Sequence, residues 1–445
     1  MNSRKPHTHV LPRVLLGTLL AQSLSPSASA NPPPSGTPPV AAPYAPWHER
    51  GRLVSYHRVQ SLTQLGVHRA LFDLPFLDAY ASFGLEDFFD FYSHADIAAA
   101  TRYGVDVYEV IYETVDPFGN PTTASGAVLA PRQTTRGWVR NDPPALLGLQ
   151  RGTIFYDADR PSSGEMVDWG IWRGLLPASR GYLTAMPDLF GFGASKHMPH
   201  AYLMADAAAT ATVDLLRATR ALAAEEGWAL RDEVFLAGLS QGGHATLATH
   251  RAIEAEYATE FRLEGSAPAA APAFMSAIAN VFYSSPTLVA PQVSTLLLLA
   301  IDTYYGFDRG PEYYFAPPYD TVVPTLHDKA HDNGQIIAGL PTGASDQLFT
   351  AAFSASFRSG GEAALQAALA ANDVHTGWTP VAPIRLVHGA VDSVVPLTLA
   401  QATQAGLSGP GTDVQLVVIP DADHLQTIVP STLYTLDWFD HILGR

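Results

Sequence analysis

The sequence predicts an α/β fold: a mostly parallel central sheet with helices on both faces, an N-terminal antiparallel hairpin at one edge, and an inserted cap. Three observations carry that expectation. Short apolar runs alternate with helical stretches through much of the chain, the pattern of parallel strands covered on both faces. Two long β-like segments flank the turn Asp116-Pro117-Phe118-Gly119-Asn120-Pro121, which reads as a hairpin. One segment, residues 268–378, lies between strand candidates and is far too long for an ordinary crossover.

The elements follow in chain order. Arg4, Lys5 and Arg13, the apolar run Val14 to Ala21, and the small-x-small site Ala28-Ser29-Ala30 make residues 1–30 a signal peptide by expectation. That implies a secreted or periplasmic protein. Residues 31–46, opening Asn31-Pro32-Pro33-Pro34, read as a Pro-rich linker. Residues 47–445 then form the main domain. Residues 47–100 mix aromatics and acids, as in Leu85 to Phe91, and are expected to be mostly helical. The hairpin strands are Tyr103 to Val115 and Thr122 to Ala130. Further strands are expected at Ala145 to Gln150, Tyr182 to Met186, Val234 to Leu239, Ile384 to His388 and Val414 to Ile419. An Ala/Leu-rich helix is expected over about Ala205 to Glu226, another after Ser240, and a last one over about Ser431 to Leu443. The cap at 268–378 is rich in Ala, Leu, Tyr and Pro.

Composition narrows the function classes. Hydrophobic residues make up 47% of 445, enough for a large core. The formal net charge of -16 argues against nucleic-acid binding, which needs a basic face. With no cysteine, disulfides, thiol catalysis and thiolate metal sites are excluded. The apolar runs Val14 to Ala21 and Leu296 to Leu299 are too short to span a bilayer. The oligomeric state is not readable.

The chemistry concentrates at Val234-Phe235-Leu236-Ala237-Gly238-Leu239-Ser240-Gln241-Gly242-Gly243. Gly-x-Ser-x-Gly alone is a weak pattern, but here it follows a strand and opens a helix. A nucleophile on so sharp a turn needs small neighbours, hence Gly238 and Gly242. The turn holds the Ser240 hydroxyl clear of the sheet and sets the Gln241 N–H at a helix N-terminus, where it favours an oxyanion. A serine hydroxyl needs a base and an orienting acid. Asp392 lies just past the strand ending His388-Gly389, at the carboxyl edge where sites in parallel sheets form. Asp413 begins a strand at the wrong end, and Asp421 and Asp423 read as loop-shaping. His424 follows the last strand, completing the order Ser, acid, His. Among the other histidines, His244 is placed where it could line the pocket, and His388 reads as packing. A second oxyanion donor is expected after the third strand, in Gln150-Arg151-Gly152-Thr153-Ile154, from Thr153 or Ile154 with Thr153 preferred. There Gly152 is expected to permit close backbone approach. Asp157, Asp159 and Asp188 fit no metal-loop pattern, and Gly191-x-Gly193 lacks the third glycine of a dinucleotide site. No metal and no cofactor are expected.

At these residues the chain resembles the α/β-hydrolase superfamily and, more narrowly, the secretory lipase family of exported lipases and esterases. The resemblance rests on Gly152-Thr153, on Pro187-Asp188 with Gly191 and Gly193, on the turn around Ser240, and on His388-Gly389 with Asp392 and Pro396. It implies the α/β-hydrolase fold, a cap at 268–378, and hydrolysis of acylglycerols or simple carboxylic esters without a cofactor. The chain departs from the family in carrying Arg151 where His is common. The expected partner is thus a small-molecule or lipid ester, with an acyl or aryl pocket shaped by an aromatic cap. Two rivals stand beside this. A serine peptidase of the same fold would want adjacent glutamates in the cap, which has only Glu312 and Glu362, far apart. A catalytically dead binding protein would lack a triad member, and none is missing.

Overall fold

The computed structural model describes residues 49–72, 99–132, 142–164 and 172–445. The expected signal peptide, the Pro-rich linker and the run Leu85 to Phe91 lie outside the described residues. Nine strands form one sheet in the order β1-β2-β3-β5-β4-β6-β7-β8-β9. They are β1 (Leu53–Leu62), β2 (Val105–Val115), β3 (Pro121–Pro131), β4 (Ala145–Gln150), β5 (Tyr182–Pro187), β6 (Glu233–Leu239), β7 (Arg262–Ala269), β8 (Ile384–Gly389) and β9 (Val414–Ile419). The first three strands pair antiparallel, as do β3 and β5. From β5 through β4 to β9 every pairing is parallel.

The helices lie on both faces. One face carries α1 (Gln64–Phe72), α2 (Trp172–Ser179) and the C-terminal helix, and the other carries α3 (Ala205–Glu225) and α4 (Gln241–Glu256). Alternation along the strands explains the two cores. Leu147 and Phe235 pack with Leu175, Leu433 and Phe439, whereas Leu146 and Leu236 pack with Leu215 and Leu216. Parallel strands buried on both faces therefore read as unbroken apolar runs. The β2–β3 hairpin is paired without interruption from Val105–Pro131 to Val115–Pro121.

Two strands depart from the expectation. Residues 47–100 were expected to be mostly helical, but Leu53–Leu62 is a ten-residue edge strand. Its register breaks between Leu53 and Ser55 and between Arg58 and Gln60. These bulges destroy the period-two alternation by which a strand is recognised. β7 was not foreseen either. Its sequence, Arg-Leu-Glu-Gly-Ser-Ala-Pro-Ala, has poor strand propensity and a proline. It is nonetheless central, with Pro268 opposite Gly238 of β6.

Between β7 and β8 the chain forms seven helices: α5 (Met275–Tyr283), α6 (Pro291–Tyr305), α7 (Pro311–Tyr314), α8 (Tyr319–Leu326), α9 (Asn333–Gly339), α10 (Ala351–Arg358) and α11 (Ala363–Ala371). Their aromatics mostly pack on one another. Tyr283 meets Phe349, Phe353 and Phe357 edge-on at 5.3–5.7 Å between ring centroids. After β8 come α12 (Leu397–Leu407), β9 and α13 (Ile428–Leu443). No helix among the described residues is long and apolar enough to cross a membrane.

Candidate active site

Ser240 sits between β6 and α4 with φ 57° and ψ -121°. This is a strained conformation for a residue with a side chain, of the kind that persists where the surroundings impose it. The surroundings are tight. A Cβ on Gly238 would collide with the carbonyl of Gly242, and one on Gly242 with the carbonyl of Gln150. The Ser240 N–H donates to the Ala269 carbonyl at 2.9 Å, tying the turn to the end of β7.

His424 and Asp392 reach the same region from the loops after β9 and β8. The His424 Nδ1 lies 2.7 Å from Asp392 Oδ2. The other carboxylate oxygen of Asp392 accepts from the Val394 and Val395 N–H groups at 2.9 and 2.8 Å. Asp392 is 6% exposed. A carboxylate so engaged keeps the Nδ1 proton of the imidazole facing it and leaves Nε2 free to accept a proton. Ser240 and His424 line one cavity of about 530 Å³.

The neighbouring acids and histidines fall into supporting places. Asp413 pairs with Arg385 at the opposite edge of the sheet. Asp423 accepts from the Leu425 and Gln426 N–H groups and shapes its own loop. His388 is more than packing: its Nε2 donates to the Val395 carbonyl at 2.8 Å and lies 3.5 Å from Asp392 Oδ2. Burial lowers its pKa, so it stands there neutral. His244, placed by sequence where it could line the pocket, instead turns away. It is fully buried, holds the Asn372 carbonyl at 2.8 Å, and burial lowers its pKa to about 4.

Gly152 and Thr153 also line the cavity. The Thr153 hydroxyl lies 3.0 Å from that of Tyr202. Gly152 is not hemmed in by the protein itself. A Cβ there would meet only the Leu239 carbonyl, at 3.8 Å, so the absent side chain keeps the cavity open. Asp188 makes no part of a metal site. Its buried carboxyl accepts from Ser125 Oγ and the Ser162 N–H, and the described residues hold no cluster fit for a metal ion.

Sequence reasoning missed a buried network behind this wall. Arg151, 0% exposed, spreads its guanidinium over three loops. It donates to the Gly152 carbonyl at 3.0 Å, to the Asp188 carbonyl at 3.0 and 2.7 Å, and to Gln241 Oε1 at 3.3 Å. Burial pulls its pKa down to about 9, so it remains cationic at neutral pH. Gln241 Nε2 lies 3.1 Å from His200 Nε2, and His200 Nδ1 lies 2.8 Å from the Phe190 carbonyl. Arginine can only donate, so Oε1 must face it and Nε2 must donate to a bare His200 Nε2. His200 is therefore neutral with its proton on Nδ1. Burial and the Arg151 charge push its pKa down to about 3. The one sequence signal was Arg151 itself, a charged residue directly before the Gly-Thr pair.

The rest of the cavity is mostly aliphatic. Ile278 and Phe282 of α5, Val293 of α6 and Ile337 of α9 roof it, with Asp332 and Asn333 at the start of α9. The cap aromatics thus mostly build the cap's own core, and of them only Phe282 faces the cavity, beside Phe155 and Tyr202 from outside the cap.

No protein-family model matches the chain, and a search of curated proteins finds no match. Solved structures do resemble it. A protein of Legionella pneumophila superposes with a TM-score of 0.72 at 24% identity, over 88% of this chain and 98% of its own. The rice cell wall degrading esterase LipA of Xanthomonas oryzae gives 0.71 at 25% identity, over 89% and 99%. Candida antarctica lipase A in its closed state gives 0.60 at 16% identity, over 88% and 83%. With the strand order above, these likenesses establish the α/β-hydrolase fold.

Proposed function

We propose that this chain is a carboxylic-ester hydrolase of the secretory lipase kind, acting through a covalent acyl-enzyme on Ser240. The observation that carries the reading is the 2.7 Å contact of His424 with buried Asp392, beside a strained Ser240 in the same cavity. The names of the Xanthomonas and Candida neighbours, esterase and lipase, support it. In the first half-reaction Ser240 Oγ attacks the ester carbonyl while His424 Nε2 takes its proton. Asp392 stabilises the imidazolium. The Gln241 and Thr153 N–H groups receive the developing oxyanion. The tetrahedral adduct collapses as His424 returns the proton to the leaving alcohol. Water then repeats the sequence on the acyl-enzyme and frees the acid. No step calls on a metal or cofactor.

The mostly aliphatic roof favours an acyl chain over an aryl group in the cavity. Neither cap glutamate lines that cavity, and buried Glu362 is engaged by Arg309 and Tyr313, so the cap glutamates are not set to grip a peptide amino terminus. Export through residues 1–30 belongs to the same proposal. The test is one purified sample assayed on p-nitrophenyl esters of graded acyl length, triglyceride emulsions and aminoacyl anilides. Ester turnover should fall by about 10⁴-fold or more in Ser240→Ala, with labelling by a fluorophosphonate lost. A Ser240→Ala protein that still turns over esters would sink the assignment.

A further inference from the structure

The proposed oxyanion donors come from two separate stretches of chain, the loop after β4 and the first residue of α4. Catalysis by preorganised donors requires both N–H groups to be fixed relative to one another before charge develops. Strand pairing does not reach them: β4 and β6 are in register only as far as Gln150 opposite Gly238. Beyond that point a side chain makes the connection. Arg151 holds the carbonyl of Gly152, which shares its peptide unit with the Thr153 N–H, and through the same Nη1 it holds the side chain of Gln241. Nε and Nη2 anchor the guanidinium to the Asp188 carbonyl, at the end of β5. From the far side, His200 holds the Gln241 amide.

Structural anchoring alone does not explain the arrangement well. A desolvated cation is costly unless its hydrogen bonds are satisfied, and none of the four bonds of Arg151 goes to a carboxylate. Its planar fork instead joins peptide carbonyls and one amide, and its face lies 4.9 Å from the Phe192 ring centroid. Such a fork fixes angles as well as distances.

We infer that Arg151, Gln241 and His200 form a positioning network that sets the distance and angle between the two oxyanion donors. Gln241 acts twice, with its N–H as a donor and its side chain as the strut. The inference rests on the proposed ester hydrolysis but adds residues outside the triad. It predicts a loss specific to the tetrahedral state, because a donor displaced by about 1 Å can cost on the order of 100-fold.

The experiment compares wild type with Gln241→Leu, Gln241→Glu, Arg151→Lys and His200→Asn. Each is measured for kcat and KM on one p-nitrophenyl ester and for melting temperature. Two inhibitors complete it: a trifluoromethyl ketone and the matching ether. The ketone forms a bond from Ser240 Oγ to its carbonyl carbon, passes the serine proton to His424, and places the carbonyl electron pair on oxygen as an oxyanion. The ether binds without reacting. Gln241→Leu should lower kcat by about 10- to 100-fold with KM within about twofold. Ki for the ketone should rise by the same factor and Ki for the ether stay put. Gln241→Glu, which keeps an acceptor for Arg151 but loses the donor to His200, should recover only part of the loss. Arg151→Lys should resemble Gln241→Leu; if it does not fold, Gln241→Leu and His200→Asn carry the test. Unchanged kcat, or parallel weakening of ketone and ether, would overturn the network. A wild type that is unreactive toward both the esters and a fluorophosphonate would overturn the ester-hydrolase reading and this one with it. An active wild type with unaffected variants would remove this one alone.

Discussion

The two sides of the cavity are held together by different means. On the proposed acid–base side the carboxylates are braced locally. Asp392 takes N–H groups from two and three residues ahead, and Asp423 does the same in the next loop. On the proposed oxyanion side the support centres on a buried side chain, Arg151, bonded to residues 37 and 90 positions away, with His200 behind Gln241. A turn whose carboxylate caps its own backbone is set by a few neighbouring residues. A guanidinium bridging three loops has geometry only when all three are in place. The difference teaches that serving one cavity does not mean equal robustness.

The comparison can be broken or sharpened by experiment. The largest effect is expected at Asp392→Asn, which keeps the shape but presents the wrong group to His424 Nδ1. Turnover should fall about 10⁴-fold, while Asp423→Asn, measured on the same ester, stays within a few-fold. If Asp423→Asn is the more damaging change, the acid is misassigned.

A middle-sized effect is expected from acid on the oxyanion side. His200 is neutral in the folded protein, with a pKa pushed down to about 3 against an ordinary value of 6.5. The unfolded chain therefore takes up a proton below pH 6.5 that the folded chain refuses until about pH 3. The stability His200 secures is whole above pH 6.5 and lost progressively as pH falls toward 3. At pH 5 that amounts to about 2 kcal/mol. Thermal melts from pH 7 to pH 5 should show a shallower decline in His200→Asn than in wild type, and equal slopes would remove His200 from the account. The smallest effect is expected at Asp423→Ala, about 1 kcal/mol of stability by denaturant unfolding, because it removes a turn cap and leaves the sheet untouched.

The same contrast explains what the sequence revealed. The parallel strands β4 and β6 were legible nearly to the residue because burial on both faces leaves an unbroken apolar signal, and β9 because its apolar run persists at a partly exposed edge. Ser240, Asp392 and His424 were legible as candidates because each follows such a strand, so chain order alone located them. β1 was not legible because two bulges scramble its alternation, and β7 because Gly265, Ala267 and Pro268 speak against a strand that only its neighbours impose. The aromatics of the cap were visible but not their direction, since composition does not say which rings pack together and which face a cavity. Arg151 was visible as an oddity. Its partners Asp188 and Gln241, and His200 behind Gln241, were not, because tertiary proximity has no periodicity to read.

The reach of Arg151 also bears on how the chain comes to its native state. Contacts between residues 151, 188, 200 and 241 cannot form until β4, β5 and β6 lie side by side, which closes long loops at an entropic cost. The turn around Asp392 requires only a few consecutive residues. A molecule caught part-way through folding, with any one of those three strands out of place, would thus have its acid turn ready and its guanidinium network incomplete. Assembly of the oxyanion side is therefore a late marker of completed folding, one that the acid turn alone would not report.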